Sequence, residues 1–236
     1  MKIAIMQPYL FPYIGYFQLI NCVDLFVLLD DVNYIMRGYI NRNTLMINGK
    51  KYRFTVPVEK ASQNKLIMDS NFCEDETTVR KILTGIEQGY CKTKHYNDVF
   101  PLIETVLLRK DKDITSTVEL SIKLFFDYIK KEINIIRSSS IDNEMGLKSA
   151  DRIVDICRKL GADTYINPQG GRTLYSWEFF HEKNIELRFL DVNFDGIKYK
   201  QFSDKFEDSL SIIDIMMNCE IDEINCFLKE YTLNRE

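Results

Sequence analysis

The first 43 residues constrain the fold most. Lys2–Met6 is a short apolar run closed by Gln7-Pro8, the pattern of a buried strand that ends abruptly. Tyr13–Asn21 has the composition of a helix, with Pro12 near its first turn. Leu25–Leu29 is a second buried-type strand, and it stops at Asp30-Asp31. Strand, proline-rich loop, helix and strand together open a doubly wound α/β sheet. In such sheets ligands bind outside the carboxyl ends of the strands, so Gln7, Pro8 and Tyr9 should share a crevice with Asp30 and Asp31.

The remainder of the chain fits that start. Asn48-Gly49 between Leu45–Ile47 and Tyr52–Val56 predicts a β-hairpin within 44–66. Thr77–Gly89, Tyr96–Leu108 and Ile114–Lys130 have helical periodicity and predict a helical insertion over 76–131. Strands follow at Asn134–Arg137, Thr164–Ile166 and Ile185–Leu190. Helices are expected at Lys148–Leu160, closed by Gly161, and at Leu174–Glu182. Two amphipathic helices, Ser209–Met217 and Asp222–Tyr231, are expected to finish the chain. The length of 236 residues suits one α/β domain carrying the hairpin and the insertion.

Composition excludes several classes. A net charge of −4 argues against a nucleic-acid binder, which would show a basic stripe. No window approaches 18 uninterrupted apolar residues, so no membrane span is expected. The apolar N-terminus imitates a signal peptide, but Gln7, Pro8 and Pro12 interrupt it and no small-residue cleavage site follows. Six cysteines lack CxxC spacing and have only His95 and His181 beside them, which disfavours zinc and fits reduced thiols in a cytoplasmic protein.

The candidate chemistry gathers around the first loop. The first helix directs its N-terminus at the crevice, and Gly15 in its first turn permits close approach of a ligand or of backbone. FPYIGY has the shape of the P-x-H-x-G-H signature of nucleotidylyltransferases and adenylate-forming ligases. Tyr13 and Tyr16 occupy the histidine positions, where they can hydrogen-bond phosphate or ribose but supply no imidazolium charge. The same spacing also suits two tyrosines that pack the helix on the sheet. Neighbouring strand residues point to opposite faces, so one of Asp30 and Asp31 should face the ligand, as a base, a hydroxyl acceptor or a Mg²⁺ ligand. Arg37 and Arg42, in a loop with Tyr34, Asn41 and Asn43, offer forked donors for phosphate or carboxylate.

Further along, Lys60, Asn64 and Lys65 form a basic loop that could close on an anion. In NPQGGRTLYSWEFF, Gly170-Gly171 allows a tight turn, placing Arg172 or Thr173 at a helix N-terminus, while Asn167 sits at a strand end. His95 reads as a surface or cap residue, His181 as a helix C-terminal residue, and Ser138–Ser140 as a turn without a nucleophile's context. Trp177 and Phe179-Phe180 read as core.

MQPYLFPYIGYFQLIN, DDVNYIMRGYINRN, KASQNKLI, DRIVDICRKLGADTYINPQGGRTLYSWEFF and YKQF…F…LSIIDIMM occur in order over nearly the whole chain and resemble the consecutive motifs of the WbqC-like protein family. Carried over by position, the resemblance marks Gln7, Pro8, Tyr9, Pro12, Gly15 and Tyr16, then Asp30, Asp31, Tyr34, Arg37, Gly38, Asn41, Arg42 and Asn43. It also marks Lys60, Asn64, Lys65, Asn167, Gly170, Gly171, Leu174 and Tyr175. The family is associated with O-antigen and other surface-polysaccharide gene clusters. The resemblance therefore implies a pathway, sugar-nucleotide modification for surface glycans, and the fold start's likeness to acyl-adenylate-forming ligases makes N-acylation or aminoacylation of a nucleotide-linked amino sugar the leading expectation for the reaction. Asp30, Asp31 and Arg37 are its catalytic candidates, ATP and Mg²⁺ its candidate cofactors, and a homodimer a candidate assembly. Nucleotidyl transfer to a sugar phosphate and non-catalytic binding of a sugar nucleotide are the alternatives.

Overall fold

The computed structural model describes residues 1–142, 146–203 and 205–235. Strands β1 (Lys2–Met6), β2 (Leu25–Leu28), β5 (Ile135–Arg137), β6 (Thr164–Pro168) and β7 (Glu186–Val192) are parallel and lie in the order β5-β2-β1-β6-β7. The order reverses between β1 and β6, which makes the sheet Rossmann-like and puts its switch point at the carboxyl end of β1.

Period-two alternation gives the sheet two apolar faces. Ala4, Phe26 and Leu28 join a core with helix α1 (Ile14–Asn21), whereas Ile3, Ile5 and Val27 join one with α5 (Ser149–Lys159) and α6 (Trp177–His181). On the first face Phe17 of α1 meets Phe125 of helix α4 (Ile114–Tyr128) at 4.1 Å between ring centroids. Helices α2 (Glu76–Tyr90) and α3 (Tyr96–Leu107) complete the helical segment. Asp75 caps α2 by accepting from the Thr78 N–H at 3.0 Å, and Asp113 caps α4 in the same way from Ser116. The hairpin strands β3 (Arg42–Ile47) and β4 (Lys50–Thr55) turn at Asn48 and Gly49, both in the left-handed region, as a type I′ turn requires.

Three expectations need correction. The second terminal helix stops early: α8 covers Ile221–Phe227, and Tyr231–Asn234 forms strand β8, antiparallel to β7. Tyr231 and Leu233 are half-buried while Thr232 and Asn234 are exposed, a period of two that satisfies the open edge of β7. Helix α7 begins at Ile212 rather than Ser209, because Ser209 is left-handed and Ser211 is the cap. The glycine turn forms a short 3₁₀ segment, Gln169–Gly171, and α6 begins only after Ser176, so Arg172 and Thr173 are not at its N-terminus.

Candidate functional site

Side-chain alternation at the end of β1 divides the site. Met6 and Gln7 point to opposite faces, and each faces a different cavity beside the switch point. Leu29 and Asp31 share Gln7's side, on an open polar cleft of about 1100 Å³. Its other walls include Ser139, Ser140, Lys148, Arg152 and Tyr175. Met6 opens on an aromatic cavity of about 430 Å³ with Tyr9, Tyr13, Tyr39 and the Pro168–Gly170 turn.

The paired aspartates have separate jobs. Asp30 is fully buried and accepts from the Ser139 N–H at 3.0 Å and the Ser139 hydroxyl at 2.8 Å. Its own N–H donates to Ser138 Oγ, and that hydroxyl is within donating reach of both carboxylates, 2.5 Å from Asp31 and 3.2 Å from Asp30. Asp31 faces the polar cleft and is ion-paired with Arg152 on α5. The serine turn after β5 is thus the clasp for both carboxylates, a role that a bare turn reading missed. Arg152 was missed as well; its only sequence signal is an arginine beside Ile153 on an amphipathic helix.

The tyrosines separate in the same way. Tyr16 is buried, donates its hydroxyl to the Gln7 carbonyl at 2.9 Å and packs edge-on against Phe26, so it shapes the loop from beneath rather than gripping a ligand. Burial pushes its phenol well above the ordinary range, with the neighbouring Tyr9 adding to the effect. Tyr13 lies over Gly15, where a Cβ would come within 2.5 Å of its ring. The first turn of α1 is therefore covered by Tyr13. Pro8 is buried at the bend between the two cavities.

The following loop is mostly braced. Asn41 donates to the Val56 carbonyl at 2.8 Å, Asn43 to Phe11 at 2.7 Å, and Arg42 Nε to Gly38 at 2.8 Å. Asn43 still lines the aromatic cavity, but its amide nitrogen donates to the Leu10 and Phe11 carbonyls and its amide oxygen accepts from the Thr44 N–H. Tyr34 is buried and its N–H donates to the Lys65 carbonyl at 2.8 Å, while Ile67 pairs with Val32 and Met68 with Asp30. The end of the 60–65 loop is thereby strapped to the cleft wall, with Leu66 and Met68 facing in. Arg37, Lys60 and Asn64 are exposed and line neither cavity.

At β6, Asn167 is buried and accepts from the Tyr165 hydroxyl at 3.1 Å. A Cβ on Gly171 would fall 1.7 Å from its amide nitrogen, so this glycine lets the turn close over Asn167. Gly170 faces the aromatic cavity with open space around it, and Tyr175 faces the polar cleft. Arg172 makes a bidentate pair with Asp191 at 2.9 and 2.5 Å.

His95 is the buried N-cap residue of α3, and His181 stacks on Trp177. Burial pushes the Cys22 and Cys157 thiols up to about 12. Among the described residues no group of three or more His, Cys, Asp or Glu side chains is arranged to hold a metal, and no helix is long and apolar enough to cross a membrane.

The chain is 25% identical over 219 residues to "Uncharacterized protein Rv1507c" of Mycobacterium tuberculosis, covering 92% of this chain and 93% of that protein. No solved structure is significantly similar to it. The sequence profile of the WbqC-like protein family matches residues 7–226. By the extent of that match, the chain belongs to the WbqC-like protein family.

Proposed function

We propose that the protein is an enzyme that modifies a nucleotide-linked amino sugar for surface-polysaccharide assembly, acylating or aminoacylating the sugar's amino group. The observation that carries this reading is the pair of unlike cavities on either side of the Gln7–Tyr9 loop, at the switch point of a Rossmann-like sheet. One is neutral and aromatic; the other mixes carboxylate, cation and hydroxyl groups. A two-substrate transfer needs such a division, because a nucleotide and an amine have to be held by different chemistry while their reacting ends meet.

In this reading the amino sugar and the activated acyl group meet in the polar cleft. Lys148 and Arg152 face the anionic portions there. Asp31 accepts the proton released as the sugar nitrogen bonds to the acyl carbon and the acyl–phosphate bond breaks. Asp30 acts as a positioning residue, holding the serine turn that orients Asp31. ATP with its Mg²⁺ enters as a co-substrate that activates the acid.

The test supplies ATP, an amino acid and a panel of nucleotide-linked amino sugars, and weighs the products. The expected result is a sugar nucleotide heavier by one acyl group, with ATP consumed only when both other substrates are present. Pyrophosphate release from a nucleoside triphosphate and a sugar phosphate alone would replace acylation by nucleotidyl transfer. Sugar-nucleotide binding with no product under any combination would make this a non-catalytic binding protein.

A further inference from the structure

We propose that the aromatic cavity is a nucleobase subsite, in which Tyr39 and Tyr9 form the stacking walls and Gln169 meets the polar edge of the base. The assignment rests on the sugar-nucleotide reading above, and it narrows that reading to the part of the ligand that each cavity holds.

Three observations converge on it. No charged side chain lines this cavity, so phosphate and ammonium groups find no counter-charge there. A neutral ring does not need one. Tyr39 is 58% exposed, so its ring is open to a ligand entering the cavity. Its ring stands 6.0 Å from that of Tyr9, tilted by 49°, and Tyr9 in turn rests 5.8 Å from the buried Tyr16. The outer ring is therefore backed by a series of rings that ends on Phe26 in the sheet core. An open pair of tilted rings leaves a face free for a third.

The rim suits the edge of a base. Gln169 carries both a donor and an acceptor, as a base edge requires, and Gly170 beside it leaves open space. Tyr9 and Tyr13, whose phenols burial holds above their ordinary range, add neutral hydroxyls to the lining. A volume of about 430 Å³ lies within the usual range for small-molecule sites. On the opposite face, Gln7 and Asp31 begin the polar cleft, where the sugar end of the ligand would lie.

Calorimetric titration with uridine, UMP, AMP, dTMP, N-acetylglucosamine and pyrophosphate tests the assignment in the wild type, Tyr39→Ala and Tyr39→Phe. Stacking of a base on an aromatic side chain is worth about 1–3 kcal/mol, which converts to a rise in Kd of about 5- to 150-fold in Tyr39→Ala. The rise is expected for at least one nucleoside or nucleotide, with Tyr39→Phe within about threefold of wild type and pyrophosphate affinity unchanged. Because Tyr39 is exposed, neither variant threatens the fold. The assignment is overturned if Tyr39→Ala leaves every nucleotide unaffected, or if it weakens N-acetylglucosamine as much as the nucleotides. Tyr39-dependent nucleoside binding without any acyl transfer would refute the proposed reaction and leave the subsite standing. Wild-type transfer by Tyr39→Ala at subsaturating sugar nucleotide would refute the subsite and leave the reaction standing.

Discussion

Two buried aspartates, Asp30 beside the polar cleft and Asp214 on α7, are held by different parts of the chain. Asp30, behind the polar cleft, is surrounded by hydroxyl and N–H donors of the serine turn after β5. Asp214 of α7 accepts from Tyr90 at 2.5 Å and Tyr199 at 2.7 Å. It helps to seat the start of α7, where Ile212 donates to the Pro12 carbonyl and Ser211 to that of Phe11, beside the aromatic cavity. Burial pushes the Asp214 carboxyl up, and the two phenols only partly offset it. The polar cleft is thus organised by a saturated carboxylate at a strand end. Asp214 is instead clasped between a helix of the insertion and the C-terminal segment.

That contrast is sharpest in stability. Asp30→Ala should cost roughly 2–4 kcal/mol in urea unfolding, because it deletes the fully buried carboxylate to which the Ser139 N–H and hydroxyl both donate. A loss below about 1 kcal/mol would show that the clasp is not structural. Gly171→Ala comes next. Its Cβ must displace the Asn167 amide, at roughly 1–3 kcal/mol, which is read as a lowered Tm.

Arg152→Met tests whether the two cavities are separable. It should lower acyl transfer about tenfold, equivalent to about 1.4 kcal/mol in the barrier, while leaving uridine affinity within about threefold. Equal losses in both would merge the cavities into one site. The smallest effect belongs to Asp214→Asn. A folded-state pKa raised above the unfolded 3.8 contributes stability that is complete below 3.8 and is lost as pH rises through the folded value. The variant removes that titration, so its unfolding free energy should fall less than that of the wild type over the same rise in pH. Parallel pH profiles would show that Asp214 ionises in the fold as freely as in water.

Much of the frame was legible because the residues that build it are near one another in sequence. The apolar runs at Lys2–Met6 and Leu25–Leu29 predict strands, and Asn48-Gly49 predicts the hairpin turn. The alternation rule predicts that only one of Asp30 and Asp31 faces the ligand. β8 was not legible: Tyr231–Asn234 is too short to distinguish from a continuing helix, and its identity as a strand depends on the open edge of β7. Likewise, Arg42, Asn41 and Asn43 have the residue types of a binding loop, but the two amide nitrogens and the Arg42 Nε donate to carbonyls that only the folded chain brings near.

By itself, then, the sequence determined the strand–helix alternation, the strand end of β1 from which the candidate site is built, and the division of neighbouring side chains between two faces. These follow from local periodicity and from the geometry of a strand. Tertiary structure alone decided that Asp31 is the carboxylate in the cleft, that its cation is Arg152, 121 positions away, and that Tyr16 is support. Partners so far apart in the chain meet only once the sheet has closed and the helices have packed on it, and no local pattern records which of them will be neighbours.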